Sequence, residues 1–172
     1  MTEVYLSLGS NIDRSRHISA GLDALAGQFG ELITSSVFES EAVGFDGSHF
    51  FNLVVGIETA LSVGALSDVL KGIEDENGRR RSGPKFSSRT LDIDILTYGD
   101  FVGEQAGVTL PRAELTKNAF VLWPMAEVAP TRRHPVSGQT YAKLWADYDK
   151  TRQKLWPVDF VWRGRTLSHA SS

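Results

Sequence analysis

The order of strand-like and helix-like segments is the feature of this sequence that most restricts its fold. Alternating apolar residues are typical of strands, whereas apolar residues three or four positions apart are typical of amphipathic helices. These patterns predict strands at 4–8, 31–38, 50–59 and 91–98, and helices at 14–28 and 62–78. The resulting order, β-α-β-β-α-β, predicts a ferredoxin-like α+β fold with additions to the core.

Three further segments follow that core. Residues 99–107 contain three glycines and are typical of a hairpin connection with short flanking strands. Residues 110–130 predict one or two short helices, broken at Pro124 and closed by a second proline. Residues 140–149 predict one more helix, and we assign the four tryptophans to packing.

Length and composition indicate a single domain. With 172 residues, 41% of them hydrophobic, the chain can bury a core. We expect one domain over residues 1–160 and a polar, frayed C-terminal tail over residues 161–172. The absence of cysteine excludes disulfides, thiolate metal sites and a cysteine nucleophile.

The charge and the apolar pattern also bear on partners and location. The net charge of −3 gives no general attraction to nucleic acid or to an anionic membrane. The N-terminus lacks a signal-peptide pattern, and no apolar run reaches membrane-spanning length. We therefore expect a soluble, cytoplasmic protein that binds neither membranes nor nucleic acid. We also expect it to be a monomer.

Two aspartates share one face of the predicted strand in the stretch RTLDIDIL, residues 89–96. Asp92 and Asp94 lie about 6 to 7 Å apart along an extended chain, so their carboxylates can converge on a cation. Magnesium prefers such oxygen ligands and usually shares them with substrate phosphates. The alternative is the solvated face of an antiparallel strand.

A basic loop precedes these acids. Five lysine or arginine residues fall within residues 79–89, among glycines and serines. The guanidinium fork matches phosphate oxygens, and a loop of this kind could close over a polyphosphate. A solvated loop or a nucleic-acid patch is the alternative. Together the loop and the acids favour metal-assisted phosphoryl or pyrophosphoryl transfer, although the P-loop signature is absent.

Four segments resemble the 6-hydroxymethyl-7,8-dihydropterin pyrophosphokinase family of folate biosynthesis. They are YLSLGSN, FFNLVVGIET, GRRRSGPKFSSRTLDIDIL and LP…AFVLWPMAEVAP, within roughly residues 3–135. The resemblance implies transfer of the β,γ-pyrophosphoryl group of ATP to the hydroxymethyl group of the pterin, with release of AMP. It also implies two Mg²⁺ ions held by Asp92 and Asp94, and the ferredoxin-like fold.

The same resemblance implies the site residues. The catalytic group would be Arg79, Arg89, Asp92 and Asp94. The pterin would be bound by Ser40, Val43, Gly44, Phe50, Asn52, Phe86, Asp92 and Phe120. The nucleotide would be bound by Glu74, Arg79, Arg81, Lys85, Arg89, Ile95, Thr109 and Arg112.

The sequence departs from the family at one functional position. Many members have a histidine after the proline of the LP segment, where this chain has Arg112 followed by Ala113. Arginine can contact a phosphate but cannot shuttle a proton near neutral pH. A diverged relative with another pterin or no activity is therefore one alternative. An RNA-binding module on the same fold is another, although the acidic pair argues against it.

Overall fold

A computed structural model describes residues 1–42, 47–78 and 90–170 of the chain. Its strands are β1 (Thr2–Ser10), β2 (Ile33–Thr34), β3 (Phe38–Ser40), β4 (Phe50–Thr59), β5 (Asp92–Tyr98), β6 (Gly103–Gln105), β7 (Val108–Leu110), β8 (Leu155–Pro157), β9 (Phe160–Trp162) and β10 (Arg165–Ser168). Its helices are α1 (Arg14–Phe29), α2 (Val63–Glu76), α3 (Glu114–Lys117), α4 (Ala119–Val128) and α5 (Tyr141–Asp147).

The main sheet has the order β5-β1-β4-β3-β8, with β2 also paired to β4. All of these pairs are antiparallel. The α+β, ferredoxin-like expectation is confirmed, since the two central strands β1 and β4 are flanked by β5 and β3. Strand β8 is an addition that extends the β3 edge.

Both faces of the sheet are covered. On one face, apolar residues of β1, β4 and β5 pack with α1 and α2, for example Leu6 and Leu53 against Leu22 and Leu66. The opposite face packs with α4 and α5 in a second cluster. This burial on both faces explains why residues 50–59 are almost continuously apolar. Each leucine withdrawn from water contributes about 1.5–3 kcal/mol.

The predicted strand at 31–38 is wrong as one element. The structure forms β2 and β3, with Ser35 between them. The backbone N–H of Ser35 donates to the Val54 carbonyl, and its hydroxyl accepts from the Val54 N–H. Because this side chain takes the place of a backbone ladder partner, regular pairing is interrupted at Ser35.

The predicted break at Pro124 is also wrong. Helix α4 continues through Pro124, and the interruption lies at Asn118, between α3 and α4. Proline removes one backbone donor from the helix. The apolar face of α4 offsets that loss, because Leu122, Pro124 and Met125 are all buried.

The prediction of a frayed end after residue 160 is wrong for residues 161–168. Strands β9 and β10 pair as a hairpin, and Trp162 is buried in the first core cluster. The Trp162 indole N–H donates to Asp23 of α1 at 2.9 Å. The Ser168 hydroxyl donates to the Val158 carbonyl and accepts from the Val37 N–H. These long-range contacts hold a segment whose composition is mostly polar.

None of the helices within the described ranges has both the length and the apolar character needed to cross a bilayer.

Candidate active site

Two predicted site residues, Asp92 and Asn52, are aligned across the sheet with Gly9 between them. Asp92 of β5 pairs with Gly9 of β1, and Gly9 pairs with Asn52 of β4. Directly opposed residues of antiparallel strands point to the same face. The Asp92 and Asn52 backbones are separated by two strand spacings, roughly 10 Å. Their side chains therefore flank a strip of sheet surface whose middle position is glycine.

Gly9 leaves that strip without a side chain. A Cβ at this position would lie 3.3 Å from Asn52 Oδ1 and 3.7 Å from the Phe50 ring. Asn52 Oδ1 therefore lies over Gly9, facing toward the β5 side. Any larger residue would fill the surface between the amide and the carboxylate.

Asp94 completes the acidic pair, two residues along β5 and opposite Ser7. Burial, followed by the negative charge of Asp92, raises the pKa of Asp94 well above its ordinary value. The positive charge of Arg112 opposes this rise. Two carboxylates that repel one another in a partly dry position form a site that favours an added cation.

The oxygen donors fit magnesium. Among the described residues, no cluster of three or more histidine, aspartate or glutamate side chains forms a metal cage. Two strand carboxylates would therefore leave coordination positions to water and to phosphate oxygens, which is the usual arrangement for nucleotide-bound Mg²⁺.

Arg112 lies beside the acidic pair. Its Nη2 is 3.4 Å from Asp94 Oδ1, and its Nε is 3.0 Å from Glu114 Oε2. Its backbone N–H donates to the Leu96 carbonyl at 2.9 Å, which attaches this residue to β5. The Arg112 side chain is 36% exposed, so its guanidinium can reach a ligand bound at the carboxylates.

Glu74 supports the strand that carries the aspartates. Its side chain is only 4% exposed, and its Oε2 accepts a hydrogen bond from the Ile93 N–H at 2.8 Å. This carboxylate fixes the backbone between Asp92 and Asp94. This hydrogen bond gives Glu74 a structural role under β5, and the nucleotide contact that the resemblance implies stays a prediction.

Of the residues expected at the pterin, those that the structure describes lie on the same face of the sheet as Asp92. Asn52 is 7% exposed, and its Nδ2 donates to the Ser40 hydroxyl at 2.7 Å. Ser40 pairs with Phe50 across β3 and β4. Phe120 lies in α4 and, with residues 40–42, lines a cavity of about 290 Å³.

Two expected nucleotide residues lie in different surroundings. Thr109 is exposed on β7, three positions before Arg112. The Ile95 side chain is buried in the core cluster on the opposite face of the sheet. Any nucleotide contact by Ile95 would therefore use its backbone.

Seven expected site residues lie outside the described residues, so their roles stay predictions. They are Val43, Gly44, Arg79, Arg81, Lys85, Phe86 and Arg89.

Sequence reasoning missed three contributions to this region. It gave no role to Gly9, although Gly9 stands in the YLSLGSN segment. It did not foresee that Glu74 holds Ile93. It also left out residues 151–155, which form part of the cavity wall. No local pattern marks these last residues, because their position depends on pairing between β3 and β8.

Known proteins resemble this chain in sequence and in fold. A sequence profile of the 7,8-dihydro-6-hydroxymethylpterin-pyrophosphokinase (HPPK) family matches residues 5–130. A 2-amino-4-hydroxy-6-hydroxymethyldihydropteridine pyrophosphokinase of Synechocystis is 35% identical over 159 residues, or 87% of this chain and 80% of the relative. The Aquifex aeolicus protein of the same name is 37% identical over 79% of this chain and 86% of its own length.

Solved structures share the fold. The Plasmodium falciparum HPPK-DHPS protein crystallised with SDX-DHP superposes with a TM-score of 0.72 over 98% of this chain, at 15% identity. This chain spans about half of that protein, 49% of its length. Since the profile and the curated relatives cover most of the sequence, the chain belongs to the 7,8-dihydro-6-hydroxymethylpterin-pyrophosphokinase family.

Proposed function

We propose that this chain transfers pyrophosphate from ATP to 6-hydroxymethyl-7,8-dihydropterin, giving AMP and the pterin diphosphate in folate biosynthesis. The observation that carries the proposal is the alignment of Asp92, Gly9 and Asn52 on one face of the sheet. A carboxylate suited to a metal–phosphate complex stands at one end, and an amide suited to a pterin edge stands at the other. Family membership indicates which substrates this arrangement would bind.

The reaction joins the hydroxymethyl oxygen to the β-phosphorus and breaks the bond from that phosphorus to the α,β-bridging oxygen. The bridging oxygen leaves with AMP, and the pterin hydroxyl loses its proton. The chemistry depends on positioning and charge neutralisation more than on a covalent nucleophile. Magnesium, as two ions held by Asp92 and Asp94, would neutralise the phosphate oxygens.

Asn52 is suited to orient the pterin. Its side chain has both a carbonyl acceptor and N–H donors, which a pterin edge requires. The hydrogen bond from Nδ2 to Ser40 fixes the amide and turns Oδ1 over Gly9. Phe120 would stack on the ring from α4, and Phe50 would border it from β4.

Arg112 would contact the nucleotide phosphates. It lies at the acidic pair and cannot donate its proton near neutral pH, so its contribution is charge and hydrogen bonding. Arg79 and Arg89 would neutralise the β- and γ-phosphates, with Arg81 and Lys85 as further cations of the basic segment 79–89.

The test is to incubate purified protein with ATP, Mg²⁺ and the pterin and to identify the nucleotide product. AMP that forms only when the pterin is present supports the proposal. ADP would contradict the reaction class, and ATP binding without turnover would favour a diverged relative. A cytoplasmic location and a monomeric state belong to the same proposal. Size-exclusion chromatography with light scattering measures the oligomeric state.

A further inference from the structure

The cavity beside Phe120 has a wall that comes from the C-terminal part of the chain. Its lining consists of residues 40–42, Phe120 and residues 151–155. Ser40 pairs with Phe50 on one side and with Leu155 on the other. The cavity therefore lies beside β3, next to Ser40, whose hydroxyl accepts the hydrogen bond from the Asn52 side chain.

This wall lies outside the part of the chain that the family profile matches, which ends at residue 130. It begins with a built turn. Asp149 accepts hydrogen bonds from the Thr151 N–H at 3.0 Å and from the Thr151 hydroxyl at 2.6 Å. The Arg152 N–H donates to the Asp149 carbonyl at 3.2 Å. The segment then enters β8, so it has a defined path at both ends.

Gln153 connects this wall to the helix that carries Phe120. Its Oε1 accepts from the Ala119 N–H at 2.8 Å, and its Nε2 donates to Asn118 Oδ1 at 2.9 Å. Ala119 is the first residue of α4, and the Asn118 side chain makes no capping hydrogen bond of its own. Gln153 therefore satisfies an N–H group that the helix start leaves without an intrahelical partner.

The same short segment also holds the opposite side of the cavity. Two residues after Gln153, Leu155 pairs with Ser40, whose hydroxyl accepts the hydrogen bond that orients Asn52. Residues 153–155 thus connect the start of α4, next to Phe120, to the strand residue next to Asn52. A shift of this segment would move the two expected pterin contacts relative to one another.

We propose that residues 151–155 form a third wall of the pterin pocket and that Gln153 is its positioning residue. This inference rests on the proposed function, because it takes Asn52 and Phe120 as pterin contacts. Gln153 acts through Ala119 and Asn118, and it does not touch the reacting atoms. The wall would make pterin affinity depend on a segment outside the matched region.

The test compares Gln153→Ala, Gln153→Glu and the control Gln28→Ala, whose exposed glutamine lies in α1. Calorimetry measures the Kd of 6-hydroxymethyl-7,8-dihydropterin with Mg²⁺ and α,β-methylene-ATP present, and separately the Kd of the nucleotide analogue. Gln153→Ala should weaken pterin binding roughly five- to tenfold, the factor that corresponds to a lost helix cap, and leave nucleotide binding unchanged. Gln153→Glu keeps the acceptor for Ala119 and should stay within about twofold of the unsubstituted protein.

Hydrogen exchange at the Ala119 amide provides a readout that does not depend on the pterin. It should accelerate in Gln153→Ala and not in Gln28→Ala. Unchanged pterin affinity in Gln153→Ala, or equal losses for pterin and nucleotide, would overturn the inference while leaving the proposed function intact. Absence of pterin binding by the unsubstituted protein would overturn both. If Gln153→Ala does not fold, a Gln153→Glu variant with tenfold weaker pterin binding would also contradict the capping role.

Discussion

A methyl group at Gly9 would stand on the sheet surface between Asp92 and Asn52. In Gly9→Ala the new Cβ would lie 3.3 Å from Asn52 Oδ1, so the amide must move by a few tenths of an ångström. The methyl would also occupy space on the face that the pterin would use. Gly9→Ala is therefore expected to disturb the ligand far more than the fold.

The expected effect of Gly9→Ala on stability is much smaller than its expected effect on catalysis. Alanine in a strand is favoured over glycine by about 0.5–1 kcal/mol, and the displacement of the Asn52 amide opposes this gain, so the free energy of unfolding should change by less than about 1 kcal/mol. A displacement of about 1 Å at a positioned substrate can reduce the rate by roughly 10²-fold. We expect kcat/KM for the pterin to fall by about that factor, while the KM for ATP changes little.

The assay is steady-state AMP formation, accompanied by urea unfolding of each variant. Gly27→Ala is the matched control, because a Cβ at Gly27 in α1 meets nothing within 4 Å. It should leave turnover unchanged and stabilise the protein by up to about 1 kcal/mol. Unaltered pterin kinetics in a folded Gly9→Ala protein would refute the placement of the pterin on this strip.

Three further changes test the surrounding groups. Asp94→Asn should lower turnover by about 10³-fold or more and leave the melting temperature without metal unchanged or higher, because the amide cannot adopt the ionised form that burial and the charge of Asp92 disfavour; a large loss of stability would contradict this. Arg112→Ala should raise the KM for ATP about tenfold or more, because it removes a charge-assisted hydrogen bond to phosphate. A change in the pterin KM instead would contradict the assignment of Arg112 to the nucleotide. His134 is buried, which lowers its pKa, and its Nδ1 accepts from two backbone N–H groups. Its stabilising contribution is therefore present above its ordinary pKa and lost as pH falls through the lower folded value, so thermal melts should show a loss of stability in acid that is smaller in His134→Asn.

The elements that could be predicted from sequence are the long periodic ones. Strands β1, β4 and β5 and helices α1 and α2 follow from local alternation or helical spacing, because each buries a continuous face. The errors arise where a distant partner decides. Ser35 interrupts a strand through Val54, and the C-terminal hairpin depends on contacts such as that of Trp162 with Asp23.

The site divides in the same way. The two-residue period of a strand is enough to place Asp92 and Asp94 on one face. The pairing of Gly9 with both Asp92 and Asn52 then puts Asn52 on that face as well. The burial of Glu74 beneath Ile93 and the contact of Gln153 with Ala119 depend on tertiary packing. Nothing in the neighbouring sequence specifies either contact.

The most direct test of the central claim is a crystal structure with Mg²⁺, α,β-methylene-ATP and 6-hydroxymethyl-7,8-dihydropterin. The account predicts metal bound by Asp92 and Asp94, and the pterin hydrogen-bonded to the Asn52 side chain above Gly9. A pterin bound elsewhere, or metal bound without contact to either aspartate, would contradict it.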